Sequence, residues 1–458
     1  MLLKFRCKNF RSIREEQELS FIAENTRSDE KSDTLIETPF EDLRLLRCLA
    51  IFGQNASGKS NVLDAMASFR RIVSDSWRRW KAGGPIPEFD PFLLDETSTN
   101  GNTEMEVTFL VRSRIYKYGF LFDRNSVIEE HLIDSTRRDK VLFRRTKEGD
   151  GAKVEFPNNN LGKTKEERLQ LERIRVDTRP NSLFLSAAAQ FNFQELSAVY
   201  TYLDTNFKSI HSKNMPPRQS YTAEMCSDER VREQIVGMLR FADAGITNIE
   251  VAKHELSEQE KKRMLAMIKS LREVEPESFS SAPSEPSQLP SVIGIRMAHN
   301  GESGKTYFLD ESKESDGTQA YFSILGPLLD SFRDGEVLLI DELESSLHPK
   351  LVTELVRTFN SPKLNPKGAQ ILFTTHDTSL LDLDLVRRDQ IWFTDKTRDG
   401  TTRLYPLTDY QPRTNQNIQV GYMGGRFGAI PFLDDQLLRE TLVGEEPAQT
   451  SLKFSGEE

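Results

Sequence analysis

Hydrophobic and polar residues alternate at the start of the chain, with Leu3, Phe5 and Cys7 set against Lys4, Arg6 and Lys8. A period of two predicts a strand with one buried face, and a second short strand ends at Leu19-Ser-Phe-Ile22. From Arg47 the alternation gives way to an apolar run, Cys48-Leu-Ala-Ile-Phe52, then a Gly-rich turn, then apolar residues at helical spacing from Asn61 to Val73. This reads as a fully buried strand, a loop and a helix. Val107, Phe109 and Val111, followed by Tyr116, Tyr118, Phe120 and Phe122, predict antiparallel strands within 104–134. Residues 187–274 read as mostly helical, with segments near 190–208, 228–242 and 255–273. Glu275–Ser291 is Ser/Pro/Glu-rich, the composition of a mobile loop. Strand patterns return at Val292–Met297 and Lys305–Leu309, a helix is predicted over 318–333, and apolar strands follow at 336–340 and Gln370–Phe373. Neither an internal repeat nor a sustained heptad pattern is present.

Length and composition narrow the class. At roughly 150 residues per domain the chain would hold about three units, a prior that α/β folds with insertions often defeat. With 37% hydrophobic and 29% charged residues, the 458-residue chain is an ordinary globular protein, not a disordered, collagenous or membrane chain. Its formal net charge of −10 argues against a uniformly basic nucleic-acid coat, but a local groove depends on how charge is distributed. Residues 137–179 carry thirteen Lys or Arg against eight acids. This stretch is either a solvated charged loop or a surface for DNA phosphates. Cys7, Cys48 and Cys226 are too few and too scattered for a disulfide framework. The charged start Met-Leu-Leu-Lys-Phe-Arg does not read as a signal peptide, and the apolar runs fall short of the about 20 residues of a membrane span. A cytoplasmic protein without membrane attachment is expected.

Gly53-Gln54-Asn55-Ala56-Ser57-Gly58-Lys59-Ser60 satisfies G-x-x-x-x-G-K-[ST] and sits between an apolar strand and a helix. In that context backbone N–H groups and the helix N-terminus, including Asn61, surround the phosphates of ATP. Lys59 would reach the β and γ phosphates, and the Ser60 hydroxyl would ligate Mg²⁺. A second apolar strand, Val337-Leu-Leu-Ile340, ends in Asp341-Glu342. Strand ends often carry acids as turn residues. Beside a P-loop, Asp341 would instead hold Mg²⁺ through water, and Glu342 would orient or deprotonate the water attacking the γ-phosphate.

These strings resemble the ABC-type ATPases, in the branch with RecF-like and OLD-like proteins and SMC-type heads. Asn9-Phe-Arg11-Ser12 resembles the N-terminal signature of that family, which implies that Arg11 approaches the phosphates. Ser315-Asp-Gly317-Thr318-Gln resembles the signature motif that binds the γ-phosphate held by the opposite subunit, although a capped helix start reads identically. Leu343-Glu-Ser-Ser-Leu-His348-Pro resembles the D-loop of the RecF/OLD branch, and Phe373-Thr-Thr-His376 the switch histidine. Gln190, at a possible strand-to-helix passage, is a candidate Gln-loop residue or an ordinary exposed polar residue. Within the branch, the closing Tyr422-Met-Gly-Gly-Arg-Phe-Gly-Ala-Ile-Pro431 and the Ser-Asp-Gly-Thr-Gln form are most similar to the phage-defence ATPases of the RloA/AbiL-like group, related to that of the PARIS system.

The resemblance implies an α/β fold, an ABC-type ATPase head with a mixed β-sheet and a P-loop site, split by an inserted helical lobe. Residues 1–186 and 292–458 would form the head, and 187–291 the lobe with its flexible loop. It also implies a head-to-head homodimer in which Lys59 and Ser60 of one chain face Ser315 and Gly317 of the other, with hydrolysis driving a conformational switch. Two outputs stay open: control of a separate nuclease or toxin effector in abortive infection, or a RecF-like repair clamp binding duplex DNA through 137–179. Only about 80 residues follow His376, too few for the Toprim nuclease domain of OLD proteins, and Leu380-Leu-Asp-Leu-Asp384 reads as an element edge, not a metal site. The segment 421–433 would dock on the head or meet a partner.

Overall fold

The structure is a computed structural model that describes residues 1–24, 34–149, 151–210, 215–242, 245–254, 258–274, 283, 285, 292–411, 416–431 and 441–442. Strand β1 (Leu2–Lys8) buries Leu3, Phe5 and Cys7 as its alternation predicts, and pairs antiparallel with β2 (Gln17–Ser20), Phe5 opposite Leu19. A two-strand ribbon, β3 (Ile36–Glu37) and β4 (Arg44–Leu45), leads into β5 (Cys48–Gly53), buried at every residue, and then into helix α1 (Lys59–Asp75). After the single turn α2 (Glu96–Thr99) come β6 (Thr103–Val111), β7 (Arg114–Phe122) and β8 (Val127–Asp134), the antiparallel strands expected within 104–134.

The basic stretch after them is not a loop. Strands β9 (Lys140–Glu148) and β10 (Gly151–Glu155) continue the same sheet, whose order is β10-β9-β8-β7-β6-β1-β2, and α3 (Lys165–Asp177) opens on a capping box between Thr164 and Glu167. Its charges hid the strand pattern, because β9 buries Leu142, Phe143 and also Arg145 while most of its other residues face outward.

The region expected to be helical holds α4 (Phe184–Gln190), α5 (Gln194–Thr205), α6 (Met215–Met225), α7 (Glu229–Ala242) and α8 (Glu258–Val274), but also two strands. β11 (Phe207–Ile210) falls where a helix was expected to end, and four residues are too short for periodicity to separate the two states. It is the edge of the nucleotide sheet, while β12 (Ile246–His254) joins β13 (Val292–Asn300) and β14 (Thr306–Asp310) in a three-stranded sheet. Apart from Pro283 and Glu285, the expected loop 275–291 lies outside the described residues.

The remaining elements are α9 (Asp316–Asp334), β15 (Val337–Ile340), α10 (Pro349–Asn360), β16 (Gln370–Thr374), β17 (Ile391–Lys396), β18 (Thr402–Pro406) and α11 (Ile418–Met423). The nucleotide sheet runs β11-β15-β16-β5-β17-β18, with every neighbouring pair from β11 to β17 parallel and β18 antiparallel at the edge. Strands covered on both faces need unbroken apolar sequence, which is what β5, β15 and β16 supply. The segment 421–431 docks on this sheet: Tyr422 and Phe427 stack on Phe393, and the Tyr422 hydroxyl donates to Ala429 O at 3.0 Å. Residues 432–433 lie outside the described residues.

Helix α1 is the hinge of this mixed α/β fold. Phe69 meets Phe5, Tyr118 and Phe120 of the antiparallel sheet, and the same hydrophobic cluster contains Leu49 and Ile51 of β5, Val337 and Leu339 of β15 and Leu372 of β16. A helix packed between two sheets must be apolar on two faces, and Val62, Leu63, Ala65, Met66, Phe69, Ile72 and Val73 are all buried. The second face of the nucleotide sheet is closed by α9 and α10 through Phe322, Leu325, Leu355 and Phe359.

Candidate functional site

In a parallel sheet, ligands sit beyond the carboxyl ends of the strands. β5 ends in the P-loop, β15 in Asp341-Glu342 and β16 in Thr374-Thr-His376, so a P-loop 281 residues before Asp341 meets two later strings at one rim. The P-loop is braced from β17 and β18. Ser57 Oγ shares a hydrogen bond with Thr394 Oγ1 at 2.7 Å, and Thr402 Oγ1 donates to Ser57 O at 3.0 Å. Gly58 has φ +104°, and a Cβ there would lie 2.0 Å from Thr402 Oγ1, so both backbone and neighbour require glycine. Gln54 Nε2 donates to Asp395 at 3.4 Å. Ser12 joins this brace to the start of α1, sharing a bond of 2.7 Å with Thr402 Oγ1 and accepting from Asn61 Nδ2 at 2.6 Å.

Lys59 is buried and bends back over the loop, its Nζ donating to Gly53 O at 2.9 Å and Gln54 O at 3.1 Å. Burial lowers its ammonium from 10.5 to about 8, against the opposing fields of Asp341, Glu344 and Glu342. Ser60 Oγ donates to Asp341 Oδ1 at 3.0 Å, and Thr374 Oγ1 donates to the same oxygen at 2.7 Å while accepting from Glu342 N at 2.7 Å. Because Ser60 gives its proton to Asp341, its lone pairs are left for a cation, and a hydroxyl beside a carboxylate is the hard oxygen pair Mg²⁺ takes. Glu342 is exposed at φ +53°, a left-handed turn that lifts its side chain off the strand line. His376 is exposed, and its N–H donates to Glu344 Oε1 at 2.6 Å. Desolvation and then the charge of Lys59 hold the His376 imidazole below the usual histidine range.

Other expected site residues stand apart. Arg11 is held between Asp64 on α1 and Asp90, whose carboxylate accepts from its Nε at 2.8 Å, so in this state two carboxylates occupy the guanidinium. Ser315 caps α9, accepting from Thr318 N at 3.1 Å, and no hydrogen bond links Ser315, Gly317 or Thr318 to the P-loop of the same chain among the described residues. Gly317 instead abuts the D-loop, where an added Cβ would lie 2.8 Å from Ser346 O. His348 and Pro349 of the D-loop string have a local task, capping α10 and occupying its first turn.

Gln190 is not at a strand-to-helix passage. It is exposed at the end of α4, whose Ser186 binds Val73 O and whose neighbour Phe191 packs on Trp77, both at the far end of α1. Since α1 has 17 residues, roughly 25 Å of helix separates that end from Lys59. Small alanines in Leu185-Ser-Ala-Ala-Ala-Gln190 gave no helical period, which is why the helix was missed. The residues that sequence reasoning passed over are Thr374, Thr394, Thr402 and Glu344. Thr374 and Glu344 lie inside quoted strings, whereas nothing local marks Thr394 or Thr402.

Several cations of 137–179 are engaged within the chain. Arg145 pairs with Glu130 in the core, Arg179 donates to the carbonyls of Ser76, Trp77 and Trp80, Lys147 and Lys153 pair with Asp123 and Glu155, and Arg173 and Arg175 pair along α3. No helix among the described residues is long and apolar enough to cross a membrane.

Comparison with known proteins adds four findings. The SMC head domain from Thermotoga maritima is similar over 88% of this chain and 98% of its own, at 12% identity and a TM-score of 0.37. The SmcHead bound to the C-winged helix domain of ScpA is similar over 90% and 99%, at 13% identity and a TM-score of 0.39. None of the curated proteins matches the chain. Residues 48–382 match the sequence profile of a family described as "AAA domain, putative AbiEii toxin, Type IV TA system". The matched span starts on the P-loop strand and runs past His376, so it takes in β5, β15 and β16 with the strings at their ends, and the chain belongs to that family of AAA-type ATPase domains.

Proposed function

We propose that the protein is a Mg²⁺-dependent ATPase that works as a dimerising switch and controls a separate nuclease or toxin effector in abortive infection. The observation that carries the chemistry is the Ser60–Asp341 hydrogen bond, which joins the P-loop to a strand end 281 residues away. In this reading the P-loop amides of Gly53–Ser60 and the Lys59 ammonium hold the β and γ phosphates, with Lys59 leaving the carbonyls of Gly53 and Gln54 to do so. Ser60 and Asp341 would hold Mg²⁺, which would supply neutralisation of the charge developing on the phosphates. Glu342 takes the proton of the attacking water. The new bond forms between that oxygen and the γ-phosphorus, the bond to the β–γ bridging oxygen breaks, and ADP and phosphate leave. His376 senses the γ-phosphate. Ser315 and Gly317, exposed or half-exposed at the start of α9, complete the site of a second copy, whose release follows hydrolysis.

The defence role is supported by the toxin–antitoxin description of the matched family and by the resemblance to RloA/AbiL-like ATPases. The internal engagement of Arg145, Arg179 and their neighbours tells against a DNA clamp built on 137–179. Glu342→Gln should bind ATP, lose turnover and accumulate as an ATP-bound dimer on size exclusion, while Lys59→Ala should lose nucleotide binding. Purified protein that binds no nucleotide at any Mg²⁺ concentration would refute the reading.

A further inference from the structure

Beside Asp341 and Glu342, the turn after β15 holds a carboxylate that the mechanism above does not use. Glu344 lies two residues beyond Glu342, and its Oε1 accepts the His376 N–H at 2.6 Å, a short charge-assisted bond spanning 32 residues. Two further bonds zip the same turns together, Glu342 N to Thr374 Oγ1 at 2.7 Å and Leu343 N to Thr374 O at 3.1 Å. Both stop at Thr374. Among the described residues, the bond to Glu344 is the one that fixes the backbone of His376 itself.

We propose that Glu344 is a positioning residue of the ATPase site, whose carboxylate ties the His376 backbone to the acidic strand end and holds the ring at the nucleotide rim. This rests on the ATPase reading above. A neutral amide could accept the same N–H. Yet Glu344 is ionisable, and its Oε2 is sheltered from solvent without a hydrogen-bond partner among the described residues, an expensive arrangement for a mere tether. The charge acts on the groups around it. The groups facing His376 are Lys59, which lowers the imidazole's proton affinity, and Glu344, Glu342 and Asp341, which raise it, with Glu344 the largest of the three acids. The carboxylate therefore has two separable effects, a held backbone and a ring that keeps its proton to higher pH than Lys59 alone would allow.

Substitution separates them. Glu344→Ala removes both effects, whereas Glu344→Gln keeps an acceptor for the His376 N–H and removes the charge. ATP turnover, ATP affinity and the ring titration of His376 by NMR are measured on the full chain, the His376 signal being assigned by its loss in His376→Asn. Glu344→Ala is expected to lower kcat by about tenfold or more with ATP affinity within about twofold, because a displaced group costs rate and not binding. Glu344→Gln is expected to recover most of that turnover and to titrate His376 at lower pH than the parent. A Glu344→Ala protein that turns over like the parent, while His376→Asn does not, overturns the proposal and leaves the ATPase reading standing. If the parent chain itself hydrolyses nothing, the ATPase reading fails, and an unmoved His376 titration in both variants overturns the positioning role as well.

Discussion

Removing the Glu130 carboxylate should cost about 3–5 kcal/mol of stability, the penalty for a buried charge left without its partner. Glu130 on β8 and Arg145 on β9 face each other in register, with side chains 0% and 1% exposed. Glu130 accepts from Phe184 N at 2.7 Å, Leu185 N at 2.9 Å and the Tyr118 hydroxyl at 2.9 Å, beside Arg145 Nη1 at 3.5 Å. It thus replaces the cap that Leu183 cannot give α4, satisfying two N–H groups at the positive end of that helix. Arg145 also donates to the carbonyls of Ser182, Arg179 and Pro180. In Glu130→Ala the guanidinium keeps those neutral acceptors but has no counter-charge, and two helix donors lose their acceptor. Arg145→Met should cost less, since three donors still surround the carboxylate. The double variant Glu130→Leu/Arg145→Met should be more stable than Glu130→Ala, because no charge is stranded. Urea unfolding followed by tryptophan fluorescence suits the test, since Arg179 binds the carbonyls of Trp77 and Trp80 beside this cluster. A Glu130→Ala loss below about 1 kcal/mol, or a Glu130→Leu/Arg145→Met protein no more stable than Glu130→Ala, would refute the stranded-charge argument.

Other expectations follow from the rim. The folded, nucleotide-free chain releases the Lys59 proton near pH 8, while the unfolded chain keeps it to 10.5, so Lys59 makes stability rise with pH between those values. Nucleotide binding needs the charged ammonium and should weaken as pH rises through about 8, by up to about tenfold per unit, in a fluorescent-nucleotide titration of the parent chain; an affinity that stays constant through that pH would refute the expectation. Gly58→Ala, forced against Thr402 at positive φ, should lose ATP binding, and adding Thr402→Ser, which leaves the hydroxyl in place, should not restore it. Thr374→Val strands the Glu342 N–H and frees Asp341, and should cost about 1–3 kcal/mol in thermal unfolding and raise the Mg²⁺ concentration needed for turnover. A gel shift with duplex DNA at two salt concentrations should show no binding that depends on residues 137–179; a retarded band lost on replacing Arg137, Arg138 and Lys140 would restore the clamp.

What the sequence made legible was whatever a single strand and its turn contain. β5 with Gly53–Ser60 and β15 with Asp341-Glu342 each carry an apolar run and a chemical string within a dozen residues, so each strand and the turn that ends it were readable. Gln190 failed for the opposite reason. Its assignment needed to know which end of α1 its helix packs against, and that is fixed by Ser186 on Val73 and Phe191 on Trp77, contacts with no local signature. The basic stretch was read as a loop because its charge density pointed to solvation, although Arg145 is among the largest fully buried side chains of the described residues and its partner Glu130 lies on β8, within the expected strands.

The bracing of the P-loop carries this distinction into function. Thr394 and Thr402 are ordinary strand threonines in sequence, yet their hydroxyls hold Ser57 from β17 and β18, and Ser12 adds a third contact from the opposite end of the chain. A loop whose amides must be pointed inward before phosphate arrives gains from such fixing, because the ordering cost is then met by the fold and not by the ligand. The same logic applies to His376, held by Glu344, and to Asp341, held by Thr374. Thr394 and Thr402 reach Ser57 across 337 and 345 residues, and Thr374 and Glu344 reach Asp341 and His376 across 33 and 32. That is why the short strings were legible locally, and why the contacts that orient them could be read only from the fold.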